Sequence, residues 1–113
     1  MALELFAGIC VRDFASAQPW YERLLGVPPS FLPHATEAVW ELAEQRSLYI
    51  VENADRAGNA VLTVLVDDLD ARVDGAVSRG VEPALRETYD NGVNKVTFRD
   101  EDGNEIGFGG VPA

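Results

Sequence analysis

Apolar and polar residues alternate over the first part of the chain, residues 3–11. A β-strand points successive side chains to opposite faces, so this alternation predicts a strand with two different environments. One face is wholly apolar and the other is mixed. The apolar face consists of Leu5, Ala7, Ile9 and Val11, and the mixed face consists of Glu4, Phe6, Gly8 and Cys10.

The apolar spacing then changes to the three- and four-residue steps of a helix that covers a core. Gly26 supplies a residue at which this helix can end. A proline is tolerated in the first turn of a helix but not in its interior, so Pro19 favours Ser16 over Asp13 as the N-cap. The predicted core-facing stripe is Ala17, Trp20, Tyr21, Leu24 and Leu25.

Three further strands are predicted before the middle of the chain. Pro28, Pro29 and Pro33 restrict residues 30–32 to a short edge strand, because proline cannot donate to a β-ladder. Residues 38–43 and 47–52 have strand-like patterns, with a turn at 44–46 between them. The polar segment 53–59 is interpreted as a connection.

The same order of elements returns in the second half. Residues 60–66 form a continuous aliphatic and β-branched run, which predicts a strand buried on both faces. Asp68 is predicted to cap a second helix, with the stripe Leu69, Val73, Ala76 and Val77, that ends at Gly80. Strands at 94–99 and 105–109 flank a tight hairpin loop. Three strands of the second half are assigned individually, and its parallel with the first half leads to the prediction of βαβββ twice: an α+β single domain over residues 1–113, with modules at 1–55 and 56–113.

Net charge, the length of apolar runs and the cysteine count limit the partners and the location that this protein can have. The net charge of −10 argues against nucleic acid as a partner, because binding a row of phosphates needs a basic surface. No apolar run reaches the roughly 18 residues of a membrane helix, and the first residues lack the basic start of a signal peptide. The single cysteine, Cys10, indicates a reducing compartment and predicts a cytoplasmic location.

Three segments together resemble the vicinal oxygen chelate superfamily, which contains glyoxalase I, extradiol dioxygenases and bleomycin-resistance proteins. The resemblance covers essentially the whole chain and implies two βαβββ modules whose curved sheets enclose a cup, with helices on the outer face. It also implies a homodimer, with half of a cup from each chain. The segments are Val11-Arg12-Asp13-Phe14, Trp20-Tyr21-Glu22-Arg23-Leu24-Leu25-Gly26 and Phe98-Arg99-Asp100-Glu101-Asp102-Gly103-Asn104-Glu105-Ile106, with Glu101 where the family usually has proline.

Metal-dependent members of this family hold a divalent ion with His or Glu residues from four strands. Carried over by position, three of these ligands fall on Phe6, Val61 and Gly107, and the fourth falls near Tyr49 or Ile50. Divalent ions need imidazole, thiolate or oxygen donors, which Phe6, Val61 and Gly107 lack. This departure from the family's ligand pattern predicts a protein without a metal or other cofactor.

A register shift of two residues would bring Glu4 and Glu105 to these places, but the flanking motifs favour the unshifted register. The lone histidine, His34, lies in a proline-rich loop and is interpreted as a surface residue.

An apolar, aromatic pocket is predicted in place of the metal site. The third strand is expected to contribute Trp40 or its neighbours Val39 and Glu41, and the fourth Tyr49 or Leu48. The same side chains are equally compatible with a filled core. The predicted ligand-binding residues are Phe6, Gly8, Trp40, Tyr49, Val61, Thr63, Tyr89, Asn94 and Gly107; Cys10, Leu65 and Gly109 share the strand faces, and Asp90, Asn91 and Lys95 are placed at the mouth.

Three functions fit these residues. The first is a metal-free protein that binds and sequesters a small aromatic or cationic compound, such as an antibiotic. The second is a lyase, isomerase or dioxygenase that uses shifted ligands or no metal. The third is a structural or regulatory dimer with a filled cup. No catalytic residue is predicted, because Cys10 has no convincing base as a partner.

Overall fold

The computed structural model describes residues 3–111 and contains two helices and eight strands. The first half holds β1, α1, β2, β3 and β4, and the second half holds β5, α2, β6, β7 and β8. The bounds are β1 Leu5–Val11, α1 Phe14–Leu25, β2 Phe31–His34, β3 Glu37–Ala43, β4 Arg46–Glu52, β5 Val61–Leu65, α2 Leu69–Ser78, β6 Leu85–Thr88, β7 Asn94–Arg99 and β8 Glu105–Gly110.

Each half forms its own four-stranded sheet. The strand orders are β1-β4-β3-β2 and β5-β8-β7-β6, so the two sheets have the same topology. In each sheet the first strand pairs in parallel with the last, and the other pairs are antiparallel. This order confirms the predicted α+β fold with two βαβββ units. The boundary between residues 55 and 56, which lies in the β4–β5 connection, stays a prediction.

The core lies between the helices and one face of each sheet. Alternate residues of β1 and β4, such as Ile9 and Ile50, are fully buried beneath α1. In the second half, Phe98 and Ile106 are fully buried in the same cluster. The predicted helix stripes are confirmed for their most buried members. These are Ala17, Tyr21 and Leu24 in α1, and Val73 and Ala76 in α2.

The start of α1 differs from the prediction. Asp13, and not Ser16, is the N-cap, and its Oδ1 accepts a hydrogen bond from the Ala15 backbone N–H at 3.0 Å. Pro19 therefore lies inside the helix. A start at Ser16 would have left Phe14 outside the helix, whereas Phe14 is buried in the core. Packing of this aromatic residue thus outweighs the backbone hydrogen bond that Pro19 cannot donate.

Two strands also differ from their predicted form. β5 is not buried on both faces: its accessibility alternates, and Val61 and Leu65 are 72% and 76% exposed. An aliphatic run does not distinguish a two-sided core strand from one whose second face stays open. β2 extends through Pro33 to His34, which an edge strand tolerates because its outer side needs no N–H donor.

A buried polar cluster in the β7–β8 loop joins the two halves. Asn104 is fully buried, and its Nδ2 donates to the Cys10 carbonyl at 2.9 Å and to the Asp100 carboxylate at 2.8 Å. Its Oδ1 accepts from the Ala60 N–H at 2.9 Å. The Tyr21 hydroxyl of the first half donates a hydrogen bond to Asp100 Oδ2 of the second half at 2.8 Å. We call these residues, Tyr21, Asp100 and Asn104, the junction cluster; it fixes β1 and α1 against the start of β5 and the β7–β8 loop.

The junction cluster predicts an unusual alkaline titration. Burial, and then the negative charge of Asp100, raise the pKa of Tyr21 far above the ordinary tyrosine value of about 10. The unfolded chain loses this proton near the ordinary value, while the folded chain keeps it. The folded state therefore binds more protons above that pH, and stability is expected to fall as the pH rises further.

Phenolate absorbance of native and unfolded protein measures this effect. Among three tyrosines, Tyr21→Phe is expected to remove one third of the signal in the unfolded chain and to leave the native titration unchanged. Loss of native amplitude in Tyr21→Phe would show that the Tyr21 phenol ionises in the folded protein.

Neither helix in the described part of the chain is long and apolar enough to cross a membrane.

Candidate functional site

The faces of the sheets that point away from the helices form the candidate site, and we call them the open faces. On β1, Phe6 and Gly8 alternate with the buried Ile9 and so lie on the open face of the first sheet. Gly8 pairs in register with Tyr49, which pairs in turn with Val39. The Tyr49 ring lies directly against Gly8, since a Cβ added to Gly8 would be 2.5 Å from the ring and its hydroxyl. Glycine at this position therefore makes room for the tyrosine.

The open face of the second sheet is built around Gly107. Thr63 of β5 and Thr97 of β7 are its register partners on the two sides. Lys95 reaches over the glycine: its Cε is 2.7 Å from where a Gly107 Cβ would be, and Thr63 Oγ1 is 3.4 Å from the same point. Gly107 thus leaves space that the lysine side chain fills.

Most predicted site residues lie on these open faces, but Trp40 does not. It is 1% exposed, lies beside Leu48 and Tyr21 in the core, and donates from its indole N–H to the Val27 carbonyl at 3.0 Å. Val39, one residue earlier, occupies the open-face position instead. Three consecutive buried residues at 38–40 hide the alternation, so the sequence pattern could not assign their faces.

Asn94 and Tyr89 are also placed away from the centre of the site. Asn94 shares the helix-facing side of β7 with Val96, and its Oδ1 accepts from the Thr88 hydroxyl at 2.8 Å. Tyr89 follows β6, is 43% exposed, and its backbone closes the turn to Val93. The structure therefore does not bring these two residues together with Phe6 and Tyr49.

Each open face carries an accessible apolar side chain. Phe6 on the first sheet is 47% exposed, and Val61 on the second sheet is 72% exposed, whereas Val39 is buried. Exposed apolar side chains of this kind offer contact area for a ligand or a partner.

Two clefts border this surface. The first, of about 370 Å³, lies beside Gly8 and Cys10 and is completed by Asp55, Arg56, Asn59 and Ala60 of the β4–β5 connection. The second, of about 420 Å³, lies between the start of β1 and the end of β5, and Leu5, Leu62 and Thr63 are among its lining residues. Both volumes fall within the range of roughly 300–1,000 Å³ that is typical of small-molecule sites.

The positions at which the resemblance expects metal ligands carry no metal donor. Phe6, Val61 and Gly107 all lie on the open faces, and none has an imidazole, thiolate or carboxylate group. Glu105, the alternative donor, accepts a hydrogen bond from Arg99 Nε at 2.7 Å. Within residues 3–111, no three His, Cys, Asp or Glu side chains are close enough together to hold a metal ion. The side chains at these positions therefore do not fit a divalent ion.

The fold is a duplicated βαβββ unit with one open sheet face in each half. A comparison of the sequence with protein-family profiles identifies the family that has this fold. The profile of the Glyoxalase/Bleomycin resistance protein/Dioxygenase superfamily matches residues 4–108. The chain belongs to this superfamily. A search of curated proteins found no match.

Solved structures give the same result. A glyoxalase / bleomycin resistance protein from Catenulispora acidiphila is 58% identical, with a TM-score of 0.95, and the alignment covers 98% of this chain and 100% of that one. The bleomycin resistance determinant of transposon Tn5 is 19% identical, with a TM-score of 0.78 and coverage of 99% and 100%. A bleomycin-binding protein complexed with bleomycin is 19% identical, with a TM-score of 0.75 and coverage of 98% and 100%. The last two likenesses show the fold alone.

Proposed function

We propose that this protein binds a small molecule on its open faces without a metal ion or other cofactor. The observation that carries the proposal is the chemistry of Phe6, Val61 and Gly107, which occupy the expected ligand positions with side chains that cannot coordinate a metal. Phe6 and Val61 are also exposed, so they are available for contact with an apolar ligand.

The proposed ligand is an aromatic or cationic compound that the protein sequesters, such as an antibiotic. Phe6 and Tyr49 support an aromatic ligand, because their rings lie on the same open face and can stack on a planar group. The net charge of −10 supports a cation through long-range attraction. Bleomycin itself is not proposed, since the likeness to the bleomycin-binding protein extends only to the fold.

We also propose that the protein is a cytoplasmic homodimer. Half a cup from each chain is what the resemblance implies. Sedimentation equilibrium tests this: a single species with the mass of one chain across the micromolar range would contradict the dimer.

Metal retention is the first prediction of the proposed function. After dialysis against manganese, nickel, zinc or ferrous iron in turn, and then against metal-free buffer, the protein is expected to retain much less than one ion per chain. Elemental analysis by mass spectrometry measures the retained metal. His34→Ala is the control, because it removes the one histidine that could bind nickel or zinc at the surface.

Stoichiometric retention that is lost in Glu4→Gln or Glu105→Gln would contradict the metal-free proposal and favour the alternative of an enzyme with shifted ligands.

A panel of aromatic compounds then tests binding by thermal shift, because a ligand of the folded state raises the melting temperature. Phe6→Ala is expected to reduce the shift. Val27→Ala, which removes an exposed apolar side chain outside both sheets, is expected to leave it unchanged. No shift across the panel would favour a structural or regulatory dimer.

A further inference from the structure

The open face of the second sheet carries a positively charged side chain, Lys95, beside Gly107. Lys95 is the only lysine in the sequence. Its aliphatic chain lies over Gly107, the position to which the resemblance assigns the last-strand metal ligand, with Cε 2.7 Å from where a Cβ would be. The Lys95 side chain is therefore held across the open face of the second sheet, beside Gly107.

Lys95 forms no ion pair with the described residues around it. The ion pairs formed within residues 3–111 join His34 to Glu37, Arg72 to Asp68 and Arg99 to Glu105, and Lys95 takes part in none of them. Glu87 is its cross-strand partner, yet the two make no ion pair. Lys95 is also only partly exposed. An ammonium that is partly buried and forms no ion pair favours a negatively charged ligand, because burial weakens screening by solvent.

Hydroxyl groups lie next to the same position. Thr63 and Thr97 flank Gly107 from the adjacent strands, and Thr63 Oγ1 is 3.4 Å from where its Cβ would be. Thr63 is exposed and Thr97 is buried, so the Thr63 hydroxyl is the accessible donor beside the ammonium. Val61 and Leu65 lie two residues before and after Thr63, on the same side of β5, and both are largely exposed. The surroundings thus combine clustered donors with apolar surface.

We propose that Lys95 and Thr63 anchor the carboxylate of a small apolar molecule whose body rests on Val61 and Leu65. This inference rests on the proposed function and names the ligand class for the same open face. It replaces the expectation of a cationic ligand with an anionic one. A charge-assisted hydrogen bond from the ammonium distinguishes a carboxylate from a neutral amide of the same shape.

Benzoate, benzamide and benzylamine form a matched set of probes, with one aromatic ring and a negative, neutral or positive end. Protein labelled with 13C-lysine gives one ε-methylene signal, because the chain has one lysine. We expect benzoate to shift this signal saturably and to bind at least about tenfold more tightly than benzamide, which corresponds to about 1.4 kcal/mol. Calorimetry should show that Lys95→Met removes this preference and that Lys95→Arg retains part of it.

Arg86→Gln is the control. It removes a cation from the neighbouring edge strand, at a position that pairs with the core residue Val96 and so lies on the other face of the sheet. It should leave the preference for benzoate unchanged. The outcome that overturns the inference alone is tight binding of benzamide or benzylamine with no preference for benzoate, or a preference that survives in Lys95→Met. Failure of all three probes to perturb either Lys95 or the aromatic signals of Phe6 and Tyr49 would overturn the inference together with the proposed function.

Discussion

Replacement of Asn104 with alanine is expected to lower the free energy of unfolding by about 3 kcal/mol or more, because several buried groups lose their partner at once. Asn104 is fully buried, and its amide satisfies the Ala60 N–H, the Cys10 carbonyl and the Asp100 carboxylate. Alanine removes the side-chain partner of the Ala60 N–H and of the Cys10 carbonyl, and it removes one donor from the Asp100 carboxylate, which keeps the Tyr21 hydroxyl. Each unsatisfied buried group costs roughly 1–3 kcal/mol.

Chemical denaturation followed by circular dichroism measures this loss. Asn59→Ala is the matched control, because Asn59 is an exposed asparagine whose amide makes only long hydrogen bonds of 3.4 Å to nearby carbonyls. It should change stability by less than about 0.5 kcal/mol. Equal effects of the two variants would show that the junction cluster does not stabilise the contact between the two halves.

Trp40→Ala is expected to cost about 3–5 kcal/mol, the range for removal of a buried large aromatic residue. Trp40 is 1% exposed and packs near the Tyr21 ring, with 6.1 Å between ring centroids. Alanine would leave a cavity beneath α1 and would also leave the Val27 carbonyl without its indole donor.

The second tryptophan provides the comparison. Trp20 lies on α1, is only partly buried, and packs edge-to-face against Tyr21. Trp20→Ala should therefore destabilise less than Trp40→Ala. Trp40→Phe should fall between wild type and Trp40→Ala, because it keeps most of the volume but not the N–H donor. A larger loss for Trp20→Ala would contradict the assignment of Trp40 to the core.

Local patterns in the sequence predicted most of the fold. The alternation in β1 separated Ile9 and Val11 from Phe6 and Gly8, and burial follows that division. The helix period identified Tyr21 and Leu24 as core residues of α1. These signals succeed because each reflects a repeating geometry within one element, so neighbouring residues are sufficient to detect it.

The errors arose where a contact between distant residues decides the structure. Packing of Phe14 moves the start of α1 to Asp13, and the face of Trp40 depends on its partners in β4 and α1. The sequence places Asn104 in a loop, but it does not show that the Asn104 amide donates a hydrogen bond to the Cys10 carbonyl, 94 positions away. Lys95 was expected only at the mouth, because its reach over Gly107 depends on the pairing of β7 with β8.

The junction cluster has a consequence for how this fold can be altered. Asp100 and Asn104 join the halves through buried groups, whereas Phe6, Val61 and Lys95 lie on the open faces and contribute little to that core. An engineer, or natural selection, can therefore exchange the open-face side chains while the scaffold stays folded. One framework of this kind can acquire a new specificity by surface substitution alone, without a compensating change in its interior.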